Sequence, residues 1–185
     1  MNARWHEVIV KELSESLACI DEGQLDALIA ELTQPNRRVL CVGVGRVLIS
    51  IKAWVKRLRH LDIDINFVGA ESEEPIGSGD LLLVASASGE SLFPVAIARK
   101  ARTLGAKVAY VGCTVPSTAS ELADLTVLLK GRTKFSSPDD PVSIQPMSTL
   151  FEQQLYLLGD VIALELMDRN GWSEEYVKSR HANLE

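Results

Sequence analysis

Apolar residues follow two rhythms along this 185-residue chain. Short, nearly continuous runs recur at Arg38–Val42, Ile63–Val68, Leu81–Ala85, Lys107–Val111 and Leu125–Leu129, as buried parallel strands do. Between them the spacing is helical. Residues 4–32 predict two helices, with Val8, Leu13, Leu17 and Ile20 on the first and Leu25, Leu28, Ile29 and Leu32 on the second; Asp21-Glu22-Gly23 punctuates them. The first helix packs on the domain or on another subunit; the pattern leaves both open. A helix over 47–60 carries Ile51, Val55 and Leu58 inward. Another over Leu92–Leu104 tolerates Pro94 in its first turn, puts Ile97, Ala101 and Leu104 on one face and stops at Gly105. Ser117 caps a short helix ending near Ala123. The longest helix opens at Pro146-Met147-Ser148-Thr149 and runs to about Arg169, with Phe151, Leu155, Leu158, Ile162 and Leu166 as its buried stripe. Gly171 ends it, and Ser173 starts a last short helix.

Strands alternating with helices at this spacing predict right-handed βαβ units and a parallel sheet covered on both faces, an α/β fold. The length suits one domain, 1–185: N-terminal helices over 1–34, the core sheet over 35–130 and C-terminal helices over 146–185. Lys130–Gln145, with Pro138, Pro141, Ser136, Ser137, Asp139 and Asp140, reads as a long loop.

Charge narrows the partners. A net charge of −6 and a pI near 5.2 argue against nucleic acid. No apolar run approaches the ~20 residues that span a bilayer, and MNARWHEVIVKEL has no signal-peptide pattern. A cytoplasmic protein is expected. Cys19, Cys41 and Cys113 are unclustered, as reduced core thiols are.

Chemistry concentrates where strands end. Leu81–Ser91, LLLVASASGES, delivers Ser86, Ser88, Gly89 and Ser91 between a strand's carboxyl end and a helix's amino end. Free N–H groups and the positive end of the helix dipole suit a phosphate there. An ordinary capped turn would show the same residues, and no Lys follows the glycine as in a P-loop. Gly43-Val44-Gly45-Arg46 ends the first strand; Leu48 stands where a dinucleotide fingerprint needs its third glycine. Arg46 sits at the mouth of the turn, either forked onto a phosphate or solvated. The acidic run Glu71, Glu73, Glu74 has no histidine beside it and reads as exposed loop. Glu152 lies in the first turn of the long helix, a place the dipole favours for a carboxylate. His181, four residues from the end, matters chemically only if the tail docks into a pocket, its own or a neighbour's.

Five segments in order, GVGR at 43–46, KRLRHLDI at 56–63, SASGES at 86–91, QPMSTLFEQ at 145–153 and RHANLE at 180–185, resemble the 6-phospho-3-hexuloisomerases of the sugar isomerase (SIS) superfamily. The resemblance spans nearly the whole chain. It implies a three-layer sandwich around a five-stranded parallel sheet, and a homotetramer with active sites between subunits. It implies interconversion of D-arabino-3-hexulose 6-phosphate and D-fructose 6-phosphate through an enediolate, with no metal or cofactor, serving formaldehyde fixation or detoxification by the ribulose monophosphate pathway. On its motifs Glu152 is the catalytic base and His181, from a neighbouring chain, polarises an oxygen or helps ring opening. Substrate contacts fall to Gly45, Arg46 and Val47 and to the loop Ser86, Ala87, Ser88, Gly89, Glu90 and Ser91.

The chain departs from the family pattern at the ligand end. Val47 removes a serine hydroxyl, a loss of about 0.5–1.5 kcal/mol. Ala87 stands where a glycine is usual, with a methyl that a positive φ would not admit. Glu73-Glu74-Pro75 replaces a Thr-Thr-Pro-like segment; each carboxylate facing a phosphate would repel it by roughly 1 kcal/mol in water. Weaker hexulose phosphate turnover than in typical members is the expectation. An isomerase of another phosphosugar, or a non-catalytic SIS module that senses a sugar phosphate, are the alternatives.

Overall fold

The computed structural model describes residues 4–136 and 142–184. Ser137, Pro138, Asp139, Asp140 and Pro141 of the long loop, and the terminal Glu185, lie outside the described residues.

Two helices, α1 (Trp5–Leu17) and α2 (Glu22–Leu32), precede the sheet. The sheet is built from β1 (Val39–Val42), β2 (Ile65–Phe67), β3 (Leu81–Ala85), β4 (Lys107–Gly112) and β5 (Leu125–Leu128). Its order is β2-β1-β3-β4-β5 and every pairing is parallel, with Val39 beside both Ile65 and Leu81 and Leu81 beside Lys107. Helices α3 (Arg46–Arg59), α4 (Leu92–Thr103) and α5 (Thr118–Leu122) connect strands. The chain closes with α6 (Thr149–Asn170) and α7 (Glu174–Lys178). The expected three-layer α/β sandwich is therefore present.

The central strand β3 is buried at every position because helices cover both faces. Its alternating side chains feed two cores. Leu81, Leu83 and Ala85 pack with Ile51, Phe151 and Leu158 beneath α2, α3 and α6. Leu82 and Val84 pack with Ala98, Ala101 and Tyr110 beneath α4 and α5. Each fully buried leucine removes apolar area worth about 1.5–3 kcal/mol.

The expected stripe on α6 is buried throughout. That on α4 is corrected: Pro94, Ala98 and Ala101 face the sheet, while Leu104 is 43% exposed. Those residues keep i, i+4, i+7 spacing, and their small size lets the helix lie close. Cys19 is exposed, contrary to expectation, because it lies in the surface turn after α1 and not on a buried helix face. Cys41 is buried and Cys113 half-buried; burial pushes both thiols up, that of Cys113 to about 12.

One crossing positions the chemistry. A Cβ on Gly159 of α6 would lie 2.3 Å from the Trp54 ring of α3, so only glycine admits this approach. The Trp54 indole N–H donates to the Leu155 carbonyl, and the Ser50 hydroxyl donates to the Glu152 carbonyl at 2.8 Å. The start of α6 is thereby held against the start of α3.

Candidate active site

Three helices begin at the carboxyl edge of the sheet with no side-chain hydrogen bond capping them: α3 after Gly45, α4 after Ser91 and α6 after Ser148. Asp21, Ser117 and Ser173 do cap α2, α5 and α7. The α3 and α4 starts follow β1 and β3, which are neighbours although the chain leaves β1 for β2 on the other side. Ligands of open α/β sheets bind at this reversal of strand order. Two sets of unclaimed N–H groups and two positive dipole ends face one crevice there, a setting for an anion. Gly45 enters α3 at φ 59, a conformation glycine adopts without strain.

The serine loop forms the second wall. Ser86 Oγ lies 3.1 Å from Ser91 Oγ, and Ser86 also accepts from the Gly89 N–H at 3.2 Å. Ser88 Oγ accepts from the Glu90 N–H at 3.2 Å. Gly89 turns the loop at φ 66, where a Cβ would strike Ser117 at 2.1 Å. The Tyr110 hydroxyl donates to the Ser86 carbonyl at 3.0 Å from below. Burial pushes its pKa up to about 12, so it stays a donor at neutral pH. Gly112 gives that hydroxyl room, since a Cβ there would sit 2.0 Å from it.

The other loop residues look elsewhere. Glu90 turns outward and accepts from the N–H and hydroxyl of Thr118 at 2.7 and 2.8 Å, which lower its pKa. Ala87 is buried, and its φ is not positive; the strain expected of its methyl is absent. Val47 is buried in the core beside it and adds no polar group to the crevice.

The opposite wall carries charge. Arg46 Nε donates to Glu152 Oε2, and Ser148 Oγ donates to Glu152 Oε1 at 2.9 Å. The Glu152 side chain is 11% exposed and that of Arg46 is 66% exposed. A cavity of about 370 Å³ opens beside the pair, walled by Ile49, Tyr156 and Leu157. Arg46 and Glu152, predicted separately, thus meet where α3 leaves β1, the strand paired with β3 that delivers the serine loop.

His181 does not join them within one protomer. Its ring centroid is 5.2 Å from that of His60, which caps the far end of α3. A 14-residue helix separates that end from Arg46, about 20 Å at the usual rise. Asp62 anchors the tail by accepting from Arg180 Nε at 2.7 Å and the Tyr176 hydroxyl at 2.6 Å.

The acidic run divides. Glu73 accepts from the Gly69 N–H at 2.6 Å, after β2. Glu74 pairs with Arg38 at 2.8 Å, ahead of β1 at the amino edge. The condition under which Glu74 would repel a bound phosphate is not met, because the segment between β2 and β3 recrosses the sheet before reaching it.

Ser148, Ser50, Tyr110 and Gly112 escaped sequence reading. Only Ser148 left a signal, standing four residues before Glu152 at the entry to the same helix. Among the described residues no three His, Cys, Asp or Glu side chains could together hold a metal ion, and no helix is long and apolar enough to cross a membrane.

The chain is 34% identical over 177 residues to the 3-hexulose-6-phosphate isomerase of Bacillus subtilis, covering 96% of this chain and 95% of that one. It is 32% identical over 183 residues to that of Methylomonas aminofaciens, covering 98% and 99%. A crystal structure from Methanococcus jannaschii, described as inferring a molecular function of 3-hexulose-6-phosphate isomerase, superposes with a TM-score of 0.83 at 25% identity. The match covers 99% of this chain and all of that one. No protein-family model matches.

Proposed function

The chain belongs to the 3-hexulose-6-phosphate isomerase family, and from that premise we propose how its own residues carry the reaction. The protein is a sugar-phosphate isomerase that interconverts D-arabino-3-hexulose 6-phosphate and D-fructose 6-phosphate. One observation supports the assignment of roles above the rest: Arg46 holds Glu152 at the strand-order reversal, where α3 leaves β1 next to β3.

The phosphate sits against the hydroxyls of Ser86, Ser88 and Ser91 and the amino end of α4. That seat leaves the sugar carbons toward Arg46 and Glu152. The carbonyl is at C3 in one sugar and C2 in the other. Glu152 removes the C2 proton of the 3-hexulose and the C2–C3 enediolate forms; the hydroxyl proton passes from O2 to O3, and the same carboxyl returns the carbon proton to C3, leaving the carbonyl at C2. A single carboxylate on one face serves both transfers. Arg46 gives one of its five N–H donors to Glu152 before substrate binds, and turns its donors to the sugar oxygens afterwards. Those donors stabilise the negative oxygen of the enediolate. Of the departures from the family pattern, Glu74 and Ala87 leave this seat undisturbed, and Val47 remains as the one lost hydroxyl.

The reading extends to the assembly and setting: a cytoplasmic homotetramer acting in the ribulose monophosphate pathway. Leu92 and Phe93 at the start of α4, Val115 after β4 and Met147 before α6 are each at least half exposed. Exposed apolar residues of this kind are suited to burial by another copy, whose tail brings His181 to the sugar. A monomer by light scattering would remove this part.

The test of the base is Glu152→Gln, assayed by coupled detection of fructose 6-phosphate across hexulose, pentulose and heptulose phosphates. Turnover should fall about 10³-fold, within the usual range for a lost acid–base group, while sugar phosphate binding persists. Turnover within a few-fold of wild type would refute the assignment.

A further inference from the structure

We propose that Ser148 is a positioning residue for the Glu152 carboxylate, its hydroxyl given to the acid instead of to the helix it precedes. The inference rests on Glu152 being the base.

Serine before a helix ordinarily adopts extended backbone and accepts an N–H of the first turn. Asp21, Ser117 and Ser173 all do so here. Ser148 departs on both counts. Its backbone lies at φ −101, ψ 22, and it makes no side-chain cap bond although α6 is 22 residues long. Its hydroxyl donates to Glu152 Oε1 at 2.9 Å, while its carbonyl accepts the Glu152 N–H at 3.0 Å. The residue thus binds both ends of Glu152.

The turn that presents it is braced. Met147 holds φ 55, a region that costs an unbranched, non-glycine residue energy. Thr149 locks the turn through its hydroxyl, which donates to the Pro146 carbonyl at 2.7 Å. Backbone strain beside a carboxylate, with the ordinary cap forgone, selects the orientation of the acid over the stability of the helix.

The two carboxylate oxygens are then unlike. Oε1 is held by a half-buried hydroxyl. Oε2 is held by an exposed guanidinium that an anionic sugar can draw away. Substrate therefore frees Oε2 for proton transfer while Oε1 keeps the carboxyl plane fixed. Without the hydroxyl the acid rotates when Arg46 leaves it.

Ser148→Gly and Ser148→Thr test this in the full chain, with Glu152→Gln alongside. Glycine is a tolerated helix start without a hydroxyl. In Ser148→Gly, kcat should fall about tenfold with KM within about twofold of wild type, and the thermal midpoint should hold. Ser148→Thr should restore kcat. Wild-type kcat in Ser148→Gly while Glu152→Gln is inactive would overturn this inference alone. An active Glu152→Gln would overturn the reading of Glu152 and this inference with it. A drop in Ser148→Gly that threonine fails to restore would assign the effect to the turn and also overturn it.

Discussion

The two edges of the sheet each carry an arginine–carboxylate pair, and the pairs are not equivalent. At the amino edge Arg38 commits four of its five N–H donors. Its Nε and one Nη donate to the two oxygens of Asp80 at 3.2 and 2.8 Å. Its remaining bonds reach Glu74 at 2.8 Å and the Pro75 carbonyl at 3.0 Å. Asp80 first, then Glu74, raise the Arg38 pKa above its ordinary value. At the carboxyl edge Arg46 gives one nitrogen to Glu152 and, among the described residues, nothing to any other group. A full guanidinium fork ties loops together, whereas a nearly empty one is available to a ligand. An ion pair is thus read for function by the donors it leaves over.

Paired substitutions sharpen that contrast most. Arg46→Met should lower kcat/KM by roughly 10- to 100-fold, the scale of a lost charged hydrogen bond, and move the thermal midpoint little. Arg38→Met should leave kcat/KM alone and lower the midpoint, because Asp80 stays buried without its partner. The coupled assay and a melting curve on both variants decide it. An Arg46→Met protein with normal turnover and reduced stability would erase the distinction.

Much of this was legible in residue order. The β3 run, LLLVA, ends in serines, so strand, crevice and anion seat follow from one stretch. Glu152 and Arg46 could each be named, but their contact is 106 residues apart in sequence and depends on Gly159 letting α6 close on α3. Ser148 escaped notice for a physical reason: serine before a helix ordinarily serves as a cap, and here the hydroxyl turns to a side chain. The α4 face was misplaced because several apolar residues compete for one stripe, and Pro94 with two alanines wins by closeness of approach. No local pattern shows that the chain recrosses the sheet between Gly69 and Asp80.

A pH scan sharpens the edges differently. His60 closes α3 at the amino edge. Burial, helped by the charges of Arg57, His181 and Lys56, lowers its pKa below the ordinary 6.5. A histidine the fold keeps neutral adds stability above the unfolded pKa and loses it as pH falls toward the lower folded value. The thermal midpoint should therefore decline on acidification below about pH 6.5, and His60→Gln should flatten that limb. An unchanged limb in the variant would show that His60 does not set it.

The smallest expected effect concerns Glu74. Judged by residue order alone, its carboxylate threatens a phosphate; in the fold it faces Arg38 across the amino edge. The charge lies beyond the length of the strands from the serine loop, and water and salt screen exposed charges over about 10 Å. Glu74→Gln should thus leave KM for the sugar phosphate within about twofold of wild type, at both low and high ionic strength. Arg38 keeps Asp80, so stability should shift only slightly, as for most exposed pairs. A severalfold fall in KM at low salt, vanishing at high salt, would mean that the acidic segment does look toward the anion. The contrast between a structural and a chemical edge would then fail at this residue first.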